Sequence, residues 1–147
     1  MIPILKSSEK VKMKAKKKIL AIDDDNSIRA LLQILLQRRY EVTSREDGYE
    51  ALLWLEQGNI PDLIIADIQM PKMDGIHFIK MIKKSGYYRD IPVIVLSGSD
   101  DKTLKAQCES AGAYKFYQKP FNPNILLEDI EQMFHNREEL DVNFRYA

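Results

Sequence analysis

Four short apolar segments of this chain each run into a residue of the kind that builds a charged site. Lys18-Ile19-Leu20-Ala21-Ile22 is followed by Asp23-Asp24-Asp25, and Leu63-Ile64-Ile65-Ala66 by Asp67. Val93-Ile94-Val95-Leu96 is followed by Ser97-Gly98, and Tyr114-Lys115-Phe116-Tyr117-Gln118 by Lys119-Pro120. Parallel strands present their C-terminal ends at one edge, where open α/β sheets carry their sites. A parallel arrangement therefore brings three or four carboxylates, a hydroxyl and an ammonium together. Crowded carboxylates repel one another unless a cation lies among them. An oxygen-rich cluster without histidine suits Mg²⁺.

Helical patterns separate these segments. In residues 26–39 the apolar side chains Ile28, Leu31, Leu32, Leu35 and Leu36 follow helical spacing, with Asn26 or Ser27 available as a cap. Residues 40–44 read as a further strand. Residues 47–57 are helical, stopped by Gly58-Asn59. Residues 70–75 form a loop, and the helix after it runs to Lys84. Residues 100–111 read as a helix closed by Gly112, and the fifth helix runs from Asn122 to about Asn136. Strands that alternate with helices predict a doubly wound, mostly parallel sheet with helices on both faces.

The chain has 147 residues, 45% of them hydrophobic and 30% charged, which suits one soluble domain with a real core. No apolar run approaches the ~18 residues that would suggest a membrane span, and the lysines near the start precede no signal-like apolar stretch. The single cysteine, Cys108, excludes an intramolecular disulfide and Cys-based zinc patterns. It is expected to be a small buried residue. His77 and His135 are expected on helix surfaces. A cytoplasmic location is expected on these grounds. Residues 1–18 hold seven lysines against Glu9 alone, so the zero net charge conceals a basic start and an acidic remainder. Residues 1–15 are expected to be a disordered, solubilising leader, although Met13 offers a second plausible start. Residues 16–136 form the domain, and residues 137–147 a tail.

From about Lys16 to His135 the chain resembles the response-regulator receiver domain of two-component signalling, with its CheY-like fold. The resemblance rests on four pieces in order: Ile22-Asp23-Asp24-Asp25, the run from Pro61-Asp62 through Asp67 to Met70-Pro71-Lys72-Met73-Asp74-Gly75, Pro92 through Ser97-Gly98, and Lys119-Pro120-Phe121. It implies a five-stranded parallel sheet of order 2-1-3-4-5 in a flavodoxin-like three-layer sandwich. It implies that Asp67 is the phosphoacceptor, and that Asp24 binds Mg²⁺ directly and Asp23 through water. The Gln69 backbone carbonyl matches a further metal ligand. Ser97 matches the hydroxyl that meets a phosphoryl oxygen, and Lys119 the lysine that pairs with the phosphoryl group, joined to Pro120 by a cis bond. Phe116 stands at the aromatic switch position.

The chemistry fits these roles. A carboxylate is already ionised at neutral pH and needs no general base, but its attack on an anionic phosphoryl group requires positive charge on the phosphoryl oxygens. The sequence departs from the family pattern at Gly98, where alanine is frequent, and at Phe116, which lacks a hydroxyl. The third acid, Asp25, leaves open which two acids bind metal; strand position favours Asp23 and Asp24, with Asp25 as a helix cap. The resemblance implies a single-domain regulator, phosphorylated by a sensor histidine kinase or histidine phosphotransfer protein, that signals to a downstream protein target. A phosphohydrolase of the haloacid-dehalogenase type would need a second Asp where Gln69 stands. Sequence-specific DNA binding would need its own small domain. A receiver that folds without being phosphorylated would have no need of the full acceptor set.

Overall fold

The computed structural model describes residues 15–146. Apart from Ala15, the expected leader lies outside them. In chain order the elements are β1 (Lys18–Ile22), α1 (Asn26–Leu36), β2 (Glu41–Arg45), α2 (Gly48–Glu56), β3 (Leu63–Asp67), α3 (Gly75–Lys84), β4 (Val93–Ser97), α4 (Lys102–Ala111), β5 (Lys115–Gln118) and α5 (Pro123–Tyr146). The strands lie in the order β2-β1-β3-β4-β5 and every pair is parallel, as the sequence leads one to expect.

The inner strands explain themselves. Every residue of β3 and β4 is buried, which is why they read as unbroken apolar runs and not as alternating ones. Their side chains still alternate between two layers, because successive residues of a strand face opposite sides. Leu20, Ile22, Ile64, Ala66, Val93 and Val95 pack with Ala51 and Leu55 of α2, Phe78, Ile79 and Ile82 of α3 and Cys108 of α4. Ile19, Ala21, Leu63, Ile65, Ile94 and Leu96 pack with Leu32 and Leu36 of α1 and with Leu126, Ile130, Met133 and Phe134 of α5. Each fully buried Leu, Ile or Phe contributes roughly 1.5–3 kcal/mol. The two layers fix the register, since a slip of one residue would exchange the faces of a whole strand. That register pairs Ile22 with Ala66, Asp67 with Leu96 and Ser97 with Gln118, so the residues at the ends of the apolar runs share one edge.

Four helices start at that edge on an aspartate. Asp25, Asp47, Asp74 and Asp101 accept from the N–H groups of Ser27, Glu50, Ile76 and Thr103. The cap of α1 is thus Asp25, and not Asn26 or Ser27. Gly112, with φ 113°, closes α4. Cys108 is buried, and His77 and His135 are exposed at least in part.

The C-terminal segment departs from expectation. The structure continues α5 to Tyr146, so residues 137–146 are helix and not a separate tail. Nothing in that stretch breaks a helix, and Arg, Glu and Leu all favour one. Two contacts tie its first turn to what precedes it: His135 pairs with Glu139 at 3.1 Å, and Arg137 donates to the Asp90 carbonyl at 3.4 Å. The core-facing stripe ends near Phe134, and beyond it Leu140 and Val142 are exposed.

Gly75 joins the fold to the site. Its N–H donates to the Ile68 carbonyl at 3.0 Å. A Cβ at this position would lie 2.7 Å from Ile68 Cα and 2.9 Å from the Asp67 carbonyl oxygen, both rigid backbone. Gly75→Ala is therefore expected to destabilise the protein by about 1–3 kcal/mol in urea unfolding, whereas an unchanged midpoint would show that the β3–α3 loop yields freely.

Candidate functional site

The edge where β1, β3, β4 and β5 end carries the acids, the hydroxyl and the lysine anticipated from the sequence. Asp23 and Asp67 are buried, and Asp24 is exposed beside them. One carboxylate oxygen from each of the three lies within 4.8 Å of the others. Asp25 takes no part in this group. Its carboxylate accepts from Ser27 N at 2.8 Å in the α1 cap, and its own N–H donates to Asp23 Oδ1 at 2.9 Å.

Each buried acid spends one oxygen on the backbone and turns the other inward. Asp23 uses Oδ1 for the Asp25 amide, and Asp67 uses Oδ1 for the Gln69 amide at 3.0 Å. Their Oδ2 atoms converge on the Lys119 ammonium, at 2.8 Å from Asp23 and 3.4 Å from Asp67. Lys119 is held at its backbone as well, where its N–H donates to the Ser97 carbonyl at 2.6 Å. The Lys119–Pro120 peptide is cis, as the resemblance implies. Ser97 is buried, and its Oγ accepts from Ser99 N at 3.1 Å. Ser99 Oγ in turn accepts from Asp101 N at 3.2 Å. The Gln69 side chain is exposed. Phe116 is half-buried against the layer beneath α2, α3 and α4.

These charges perturb one another. Burial pushes the Asp67 carboxyl above its ordinary value, the Gln69 N–H works against that shift, Asp23 adds repulsion, and Lys119 offsets part of it. Burial alone would lower the Lys119 ammonium, but its hydrogen bond to Asp23 and the charges of Asp23 and Asp67 outweigh burial and raise it. A pair of buried carboxylates plus an exposed one, with a single ammonium between the buried two, is a donor set that an oxygen-seeking divalent cation fits: hard oxygen ligands, negative charge in excess and one side open.

Two features of the neighbourhood were not anticipated. Arg29, on α1, donates to the Asp23 carbonyl at 2.5 Å. It stands one helical turn past Asn26, which is the only trace of this role in the sequence. Asp47 is buried at the start of α2 and lies 3.6 Å from the Lys72 ammonium. Lys72 adopts φ 68° in the β3–α3 loop.

A doubly wound α/β protein with an acidic, lysine-bridged site at its C-terminal strand edge is thus defined. The family model for the response regulator receiver domain matches residues 19–131, and the chain belongs to that family. It is similar to the CAI-1 autoinducer sensor kinase/phosphatase CqsS of Vibrio cholerae, 35% identical over 121 residues, which span 81% of this chain and 18% of that protein. It is 39% identical over 108 residues to the alkaline phosphatase synthesis transcriptional regulatory protein PhoP of Bacillus subtilis, spanning 73% of this chain and 44% of that one. The chain thus spans less than half the length of these curated relatives. Among solved structures, the chemotaxis response regulator CheY4 of Vibrio cholerae superposes with a TM-score of 0.74 at 35% identity, covering 80% of this chain and 98% of that one. No helix among the described residues is long and apolar enough to cross a membrane.

The strain on Asp67 has a measurable sign. Its pKa is raised on folding, so ionisation costs the folded state more than the unfolded one. The penalty is absent below the ordinary value of 3.8 and grows as pH rises through the folded pKa. In EDTA, Asp67→Asn is therefore expected to raise the unfolding midpoint at pH 7, with the gain shrinking towards zero below pH 3.8. A variant less stable than wild type at pH 7 would contradict this balance.

Proposed function

We propose that this chain is a phosphoacceptor switch: Asp67 receives a phosphoryl group in a Mg²⁺-dependent reaction, and the modified domain signals through an altered protein-binding surface. The observation that carries this reading is the convergence of Asp23, Asp24 and Asp67 within 4.8 Å, with the Lys119 ammonium 3.4 Å from Asp67. In this reading Asp23, Asp24, Asp67 and the Gln69 backbone carbonyl hold the metal. When bound, Mg²⁺ supplies positive charge to the phosphoryl oxygens and to the cluster.

The chain's own groups do the rest. An Asp67 carboxylate oxygen forms the bond to phosphorus as the phosphorus–nitrogen bond of a donor phosphohistidine breaks, and the electron pair departs on the imidazole. Lys119 neutralises charge on the phosphoryl oxygens, which positioning and electrostatics must carry in such transfers. Ser97 Oγ already accepts a hydrogen bond from Ser99 N, which leaves its O–H to donate to a phosphoryl oxygen. Movement of Ser97 towards the phosphoryl group opens room for Phe116 to turn inward, and the surface formed by α4, β5 and α5 shifts with it. The donor is a sensor histidine kinase or histidine phosphotransfer protein in the cytoplasm, and the receiver of the signal is another protein. A hydrolase reading lacks the general acid that its chemistry requires, because Gln69 occupies that place.

Incubation with acetyl phosphate and Mg²⁺ is expected to add one phosphoryl group to the intact mass. Asp67→Asn is expected to remove this gain, and Asp24→Ala to abolish Mg²⁺ binding in a metal titration. Comparable phosphorylation of Asp67→Asn would place the acceptor elsewhere.

A further inference from the structure

Asp24 is the exposed member of the acid cluster, and no hydrogen bond to its carboxylate from another described residue fixes its direction. The aim of that side chain therefore depends on the two peptides that flank it. The peptide after it is fixed by the Asp25 N–H, which donates to Asp23 Oδ1 at 2.9 Å. The peptide before it carries the Asp23 carbonyl, and the Arg29 guanidinium donates to that oxygen at 2.5 Å. The Asp23 N–H is also held, by the Arg45 carbonyl of the neighbouring strand at 3.2 Å.

Arg29 is suited to hold a peptide plane. Its side chain is only 15% exposed, so its charge-assisted bond to the carbonyl is partly shielded from water. Its other nitrogen donates to Asn26 Oδ1 and lies 3.9 Å from Glu46 on the β2–α2 loop. The Glu46 side chain is 76% exposed, so that ion pair contributes little by itself. The guanidinium fork is thus braced at the start of α1 while one arm reaches back across the turn. Lysine carries its three N–H donors on one nitrogen and lacks the planar fork whose two nitrogens reach Asp23 and Asn26.

We propose that Arg29 is a positioning residue for the metal site, pinning the Asp23–Asp24 peptide so that the Asp24 carboxylate faces Asp23 and Asp67. This rests on the proposed Mg²⁺ site and adds a residue to it. The proposal makes a prediction opposite in sign to simple electrostatics. Arg29 is a cation near a cation site, so loss of its charge alone would tighten Mg²⁺ binding. Loss of its positioning bond would weaken it, because partners that orient metal ligands typically matter by about 10–100-fold in affinity.

The test is a calorimetric Mg²⁺ titration of the full chain as wild type, Arg29→Lys and Arg29→Met, with amide hydrogen exchange of the same proteins in EDTA. The expected order of affinity is wild type, then Lys, then Met, with the Met variant weaker by about tenfold. The Asp25 amide is expected to exchange faster in Arg29→Met while amides of β3 and β4 keep their protection, which separates a loosened turn from a damaged fold. A Met variant that binds Mg²⁺ as tightly as wild type, or more tightly, would overturn the inference, as would unchanged exchange at Asp25. Wild-type protein that does not bind Mg²⁺ would defeat the metal reading itself, and this inference with it.

Discussion

The Lys119 ammonium lies 2.8 Å from Asp23 and 3.4 Å from Asp67, and it lets two buried carboxylates share one sheet edge. Burying charge is costly unless the charge is paired and hydrogen-bonded. Both conditions are met by the same design in each acid: one oxygen on a backbone N–H two residues onward, the other on Lys119. Removal of the lysine would leave two negative charges at the ends of β1 and β3 with only their amide bonds. Lys119 is raised by the two carboxylates around it, Asp67 is raised first by burial and then by repulsion from Asp23, and two buried carboxylates on one ammonium leave an imbalance, a negative excess.

That imbalance is held in place by the apolar core. β1, β3 and β4 are sealed on both faces, and their registers admit no slip without exchanging the two layers. The edge therefore cannot relax by moving its strands apart. It can relax by gaining a cation, or by changing what Ser97 and Lys119 bond to. In the proposed function both happen in turn, and the change passes through Ser97 at the end of β4, Ser99 in the loop after it and Phe116 on β5. Gly75 contributes sterically, since it brings α3 hard against the backbone of Ile68 and Asp67.

Much of this is legible in the sequence. The buried strands announce themselves as apolar runs, and the polar residue at the end of each run locates the site, because a parallel sheet leaves strand ends no other edge to occupy. The limit of α5 is not legible. In a sequence a helix end shows as the loss of core-facing side chains, and residues 137–143 are all exposed while the helix continues through them. The helix there follows from propensity, with His135 and Glu139 one turn apart at 3.1 Å as it begins. Arg29 escapes notice for a different reason. Its partner is the carbonyl of Asp23, and backbone acceptors leave no mark in a sequence. The Asp47–Lys72 pair joins residues twenty-five positions apart through a loop whose φ of 68° at Lys72 no residue type announces.

In the proposed function the crowded acid edge makes Asp67, among all the aspartates, the one that carries an acyl phosphate. Borohydride reduces an aspartyl phosphate to homoserine, so the site is read by peptide mass spectrometry after treatment of the protein with acetyl phosphate and borohydride. The account predicts homoserine at position 67 alone, formed with Mg²⁺ and absent in EDTA. Homoserine at position 23 or 24, or equal yields with and without Mg²⁺, would contradict it.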